Sequence, residues 1–127
     1  MGKKLDETTG ALHDFAHCVF QRATQLTGSE PVFYSNGWYK FTDQTTFLFC
    51  RLNGDPTKAK VPPNSVELQA FWNEEWKGHE GVQENPKAFW GNTSAAEVCF
   101  LAQPEFIEKA IAFIDAALEF HRRRKKG

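Results

Sequence analysis

The chain has 127 residues, 41% of them hydrophobic and 14% aromatic, with 15 Lys plus Arg against 16 Asp plus Glu for a formal net charge of −1. Five of the fifteen cations, Arg122, Arg123, Arg124, Lys125 and Lys126, fall in the last six residues, so the rest sets ten cations against sixteen anions and carries −6. This excludes a chain disordered by composition and argues against the broad cationic face that sequence-independent nucleic-acid binding needs.

The length suits a single domain, 1–127, with a basic extension at 121–127. No apolar run approaches the roughly 20 residues of a membrane span, and no apolar segment follows Lys3-Lys4 as in a secretory leader. The expectation is a soluble, cytoplasmic protein with no membrane partner. Three cysteines, odd in number and far apart, fit a reducing compartment and form no zinc-type pair. Asn92-Thr93-Ser94 matches the glycosylation triplet, a chance match if the chain is never secreted.

Leu12, Phe15, Ala16, Val19, Phe20, Ala23 and Leu26 repeat at helical spacing, predicting a helix over 9–26 stopped by Gly28. From Pro31 onward the pattern is that of strands. Breaks at Asn36-Gly37, a preferred type I′ turn centre, and at Asp43-Gln44 predict a three-stranded meander over 31–35, 38–42 and 46–52. Phe47 and Phe49 are apolar, and so are Leu48, Cys50 and Leu52, so the third strand is expected to be covered on both faces. Residues 54–63, with Asp55-Pro56, Pro62-Pro63, Lys58 and Lys60, read as a solvated connection.

Asn64-Ser65-Val66-Glu67 reads as a capping box. It opens a predicted helix with Leu68, Phe71, Trp72 and Trp76 as its apolar stripe and Gly78 as its end. Residues 79–89 read as a polar loop or lid, and Val98 to Leu101 predict a strand over 95–102. After Pro104, suited to a first helical turn, residues from Phe106 to Phe120 predict a long amphipathic helix. The expected architecture is α+β, an antiparallel sheet of the meander plus a further strand packed by N- and C-terminal helices, in the order α-β-β-β-α-β-α.

No nucleophile elbow, Cys-x-x-Cys pair, phosphate loop or dinucleotide fingerprint is present. Glu74 and Glu75 would point apart on a helix. His13 and His17, four residues apart, can reach one metal, but on a helical wheel they lie about 60° and 100° from the apolar centre, with no third ligand evident. Cys18 falls on the exposed side of its helix beside Asp14, which opposes thiolate formation. Cys50 and Cys99 sit in predicted strands as small buried hydrophobes.

Aromatic density is the prominent feature: seven of the 17 residues from Phe33 to Phe49 are Phe, Tyr or Trp, with Trp72, Trp76 and Trp90 downstream. Most of these rings serve a core. Trp38, Tyr39, Trp72 and Trp90, with Lys40, Arg51 and Asn92 beside them, also suit a site for a flat ligand, since each ring has a π-face and a polar handle. Trp90-Gly91-Asn92 reads as a loop at that site. The basic tail complements a helix dipole, or attracts phosphate or an acidic partner, or is disordered.

Phe33 to Phe41, and Phe89-Trp90-Gly91-Asn92-Thr93 followed by a strand and Pro104 to Ile111, resemble a small uncharacterised α/β domain. That domain occurs alone or fused to restriction-nuclease-like proteins and is sometimes labelled a predicted transport protein. A fainter similarity is to the MmcQ/YjbR family, small cytoplasmic domains with a helix, a meander and a closing helix, suspected of DNA or protein binding. These resemblances imply a bacterial or phage-type intracellular accessory domain and carry over no catalytic motif.

The leading expectation is a non-enzymatic binding module without cofactor or metal. Its ligand would be a small planar molecule, a nucleotide or an unstacked nucleic-acid base, held by Trp38, Tyr39, Lys40, Trp72, Trp90 and Asn92, with the tail assisting if the ligand is phosphorylated. The alternatives are a protein-interaction domain of inhibitor or immunity type that uses an acidic face, and a metal-dependent enzyme built on His13 and His17.

Overall fold

The computed structural model describes residues 3–34, 38–54, 62–89 and 93–126. The Asn36-Gly37 turn, the connection carrying Lys58 and Lys60, Trp90 and Asn92 lie outside them. The α+β class with helices near both ends is as the sequence predicts. Helix α1 spans Gly10–Thr27 and α2 spans Ile107–Lys126. Between them run β1 (Val32–Phe33), β2 (Trp38–Asp43), β3 (Thr45–Asn53), β4 (Ser65–Phe71), β5 (Gln83–Phe89) and β6 (Thr93–Leu101). All six form one antiparallel sheet in the order β1-β2-β3-β4-β6-β5. No helix among the described residues is long and apolar enough to cross a membrane.

The predicted helix from Asn64 is instead β4. Val66, Leu68 and Ala70 are buried while Glu67 and Gln69 are half-buried on the other side, a period of two that outweighs the i, i+3 stripe once β3 and β6 pair on both flanks. Asn64 cannot act as an N-cap, because its φ of 53° is left-handed and a cap residue needs extended backbone. It turns the chain, with its N–H donating to the Gly54 carbonyl and its own carbonyl accepting from the Ala102 N–H. Glu67 accepts from the Asn53 side chain at 3.0 Å rather than reaching back to Asn64. Only Glu74–Gly78 is helical, as a short 3-10 turn capped by Asn73.

The predicted lid is also corrected in part, since residues 83–89 form β5. Its polar sequence and Pro86 fit a sheet edge, where a proline removes no needed ladder bond. The polar connection from β4 to β5 passes the position of β6, and the 3-10 turn anchors that crossover.

One sheet face and both helices make the core. Tyr39, Phe41, Leu48, Cys50, Leu52, Val66, Leu68, Ala70, Ala96 and Val98 pack against Leu12, Phe15, Val19 and Phe20 of α1 and Phe113, Ile114 and Leu118 of α2. Gly28 takes φ 76° as the C-cap of α1. Arg22 and Asp115 join the helices in a bidentate pair at 3.2 Å.

The other face carries Trp38, Lys40, Phe49, Arg51, Glu67, Gln69, Glu97 and Cys99, none of them buried. Strand β3 is therefore central, with its second face half-buried among the described residues. Its doubled apolar pattern has another source. The pairing shifts from Phe41 with Leu48 to Thr42 with Thr46, which leaves Phe47 as a bulged residue turned into the core beside Leu48. The same alternation exposes Cys99, where a buried thiol was expected.

Candidate functional site

Where β4 ends, the chain builds one wall of a cavity. The Trp72 N–H donates to the Ser94 carbonyl at 3.2 Å, and the Asn73 side chain accepts from the Glu75 N–H at 2.8 Å, so the 3-10 turn is held against the sheet end. This places Trp76 inside. It is fully buried, its ring stacks on Phe113 at 4.6 Å and meets Phe120 edge-on at 5.0 Å, and its indole N–H donates to the Phe71 carbonyl at 3.2 Å.

The facing wall is the last third of α2. Ala117, Phe120, His121, Arg123 and Arg124 recur at three- and four-residue spacing and so share one side of the helix. Together with Phe47, Ala70, Phe71, Trp72 and Trp76 they enclose a cavity of about 300 Å³, open to solvent. That volume is at the lower end for small-molecule sites.

Electrostatics divide the rim. Arg122 is occupied by Asp43, at 3.0 and 3.3 Å, and by the Leu26 carbonyl. Arg123 pairs with Glu75 at 2.7 Å and lies over Phe120. The hydrogen bonds to those carboxylates hold both guanidinium pKa values above the usual arginine value. Arg124 stacks on the Phe71 ring, 4.8 Å from its centroid, and has no ion pair among the described residues. Its charge at the cavity mouth is thus uncompensated, while stacking holds the planar group in place.

His121 is 5% exposed and forms part of the same wall. Its Nε2 lies 3.2 Å from the Asp43 carbonyl oxygen, which can only accept, so Nε2 donates there. The Nδ1 atom is buried and has no partner among the described residues.

The structure brings few of the anticipated residues together. Trp72 lines the cavity. Trp38 and Lys40 share the open sheet face at the other end: the register puts Trp38 roughly 19 Å from Trp72, at about 3.3 Å per residue and 4.8 Å per strand. Tyr39, between them, points to the opposite face. There its ring packs edge-on with Phe20 at 4.7 Å, and its hydroxyl accepts from the Leu5 N–H at 2.8 Å. Burial raises that phenol above its ordinary value.

Sequence reasoning missed Phe71, Phe120 and His121 as site residues and read Arg123 and Arg124 only as tail. The usable signal was the three- and four-residue recurrence of Phe120, Arg123 and Arg124. His13 and His17 stack at 6.3 Å, with His13 Nδ1 engaged by Thr8 Oγ1 at 3.0 Å, and no group of three potential metal ligands occurs among the described residues.

Fold and cavity together define an α+β protein with a single antiparallel sheet backed by two helices and an aromatic, cation-rimmed pocket at the sheet end. No family model matches the chain, and no curated protein or solved structure matches it either. The functional reading therefore rests on the geometry.

Proposed function

We propose that this protein is a non-catalytic binding module for a small planar anion of the nucleotide class, held in the cavity between the end of β4 and the last third of α2. One observation carries the reading: aromatic walls from Phe71, Trp72 and Phe120 meet an arginine, Arg124, that is pre-stacked and lacks a carboxylate partner among the described residues. A flat ring slides against the aromatic walls, where stacking contributes about 1–3 kcal/mol per base. A phosphate meets Arg124 in the planar, forked geometry that suits it. Asn73, which lines the same cavity, offers polar selectivity beside the rings. Among the described residues the site holds no paired carboxylates and no activated nucleophile, which favours binding over turnover.

The test is isothermal titration with AMP, GMP, UMP, adenosine and inorganic phosphate. At least one monophosphate is expected to bind, and Trp72→Ala should weaken it by roughly 5- to 150-fold, the range that a lost stacking partner implies. Arg124→Gln should cost the monophosphate more than it costs the nucleoside. If no monophosphate binds at millimolar concentration, or if binding is indifferent to both substitutions, the reading is wrong.

A further inference from the structure

Three consecutive arginines of α2 meet three different fates. Arg122 is fastened to Asp43 of β2 by two hydrogen bonds, at 3.0 and 3.3 Å, and takes no part in lining the cavity. Arg123 lines the cavity between two carboxylates, Glu75 at 2.7 Å on the opposite wall and Glu119, one turn back on α2, at 3.7 Å. Arg124 also lines the cavity, stacked on the Phe71 ring, with no ion pair among the described residues.

Glu75 is held in register for this contact. Its backbone N–H donates to the Asn73 side chain at 2.8 Å, the bond that caps the 3-10 turn. The anchored carboxylate then reaches from the turn to α2, so the pair joins the two walls of the cavity. Its neighbour Glu74 does nothing of the kind: it pairs with Lys77 at 2.7 Å and is not a lining residue.

We infer that Glu75 determines how many phosphates the cavity accepts and restricts it to one. The inference rests on the nucleotide reading of the cavity. The restriction follows from the charges that remain free at the rim. One phosphate is met by the fork of Arg124. A second phosphate, bonded to the first, needs Arg123, whose guanidinium is already engaged by Glu75. Displacing that carboxylate leaves it beside the incoming phosphate with Glu119 close by, and like charges repel. Nucleoside monophosphates are therefore favoured over diphosphates. Both members of the pair are about half exposed, at 50% and 54%, so solvent screens the contact and the discrimination is modest.

The experiment is isothermal titration of the full chain with AMP and ADP, GMP and GDP, and UMP and UDP, in the presence of EDTA so that no divalent cation masks the phosphates. Wild type should bind the monophosphate of a pair at least about twofold more tightly than the diphosphate. Glu75→Gln keeps the backbone cap and should shift that ratio toward the diphosphate by roughly 2- to 5-fold, an effect that shrinks as salt rises. Glu74→Gln removes the same charge one residue away and should leave the ratio unchanged. Adding Arg123→Gln to Glu75→Gln should abolish the gain, because the released guanidinium is its source.

The inference is overturned if wild type binds diphosphate as tightly as monophosphate, if Glu75→Gln leaves the ratio where it was, or if Glu74→Gln shifts it equally. A gain that survives Arg123→Gln also overturns it. If monophosphates bind in a manner dependent on Trp72 and Arg124 while the ratio ignores Glu75, the inference fails and the cavity reading stands. If no nucleotide binds at all, the cavity reading fails and takes the inference with it.

Discussion

Replacing Trp76 with alanine tests the central feature of the fold, the wedge that ties the crossover after β4 to α2. The side chain is fully buried, stacks on Phe113 and donates to the Phe71 carbonyl. A tryptophan of this kind removes about 150–250 Å² from water, worth about 4–6 kcal/mol at ~25 cal/mol per Å². Alanine keeps only the β-carbon, and partial collapse of the void brings the expected loss to about 3–5 kcal/mol. The lost hydrogen bond from the indole N–H to the Phe71 carbonyl adds about 1 kcal/mol. The total is a large part of the roughly 5–15 kcal/mol that a folded domain possesses. Trp76→Phe preserves most of the contact with Phe113 and should cost only about 1–2 kcal/mol. Urea unfolding followed by far-ultraviolet circular dichroism measures both without relying on tryptophan emission. A loss below about 1.5 kcal/mol for Trp76→Ala, or equal losses for the two variants, would falsify the wedge.

Two further outcomes follow from the backbone and the core. Cys50 is fully buried and its thiol is pushed far above its ordinary value by desolvation, so it stays neutral in the folded state. Unfolded thiols ionise near pH 8.5; the stability that depends on a neutral Cys50 is complete below that pH and falls above it, by up to about 1.4 kcal/mol per pH unit. Stability profiles of wild type and Cys50→Ala between pH 7 and 10.5 should therefore converge as pH rises, and parallel profiles would contradict this account. At Gly28 a new β-carbon meets nothing within 4 Å, so only the φ of 76° resists substitution. Gly28→Ala should cost about 1–2 kcal/mol, read as a fall in Tm, and Gly28→Asn less; a neutral Gly28→Ala would show that the αL cap is not retained in solution.

Helix α1 was fully legible in the sequence. Its buried residues Leu12, Phe15, Ala16, Val19, Phe20 and Ala23 are those whose spacing marks one helical face, and Gly28 ends it as expected. Helix α2 was legible for the same reason, and it extends to Lys126, with Arg122 and Arg123 finding Asp43 and Glu75. Strand β4 was not. Ser65 to Trp76 contains a helical stripe and a strand alternation at once, and local propensity cannot choose between them. Pairing with β3 and β6, which are distant in sequence, chooses the strand. Of the anticipated site residues, adjacency in sequence misled at Tyr39, because neighbours on a strand face opposite ways.

What the sequence determined by itself were quantities that depend on residues close along the chain: the two amphipathic helices, the aromatic and charge content, and the acidic body with its cationic end. Tertiary structure alone decided which rings face a ligand-sized space. It placed Trp72, Phe71 and Phe120 around Arg124, sent Trp38 and Lys40 to the opposite end of the sheet, and closed Trp76 into the core. The physical reason is that burial is a property of long-range register, and shifting a strand by one residue exchanges every side chain between core and solvent.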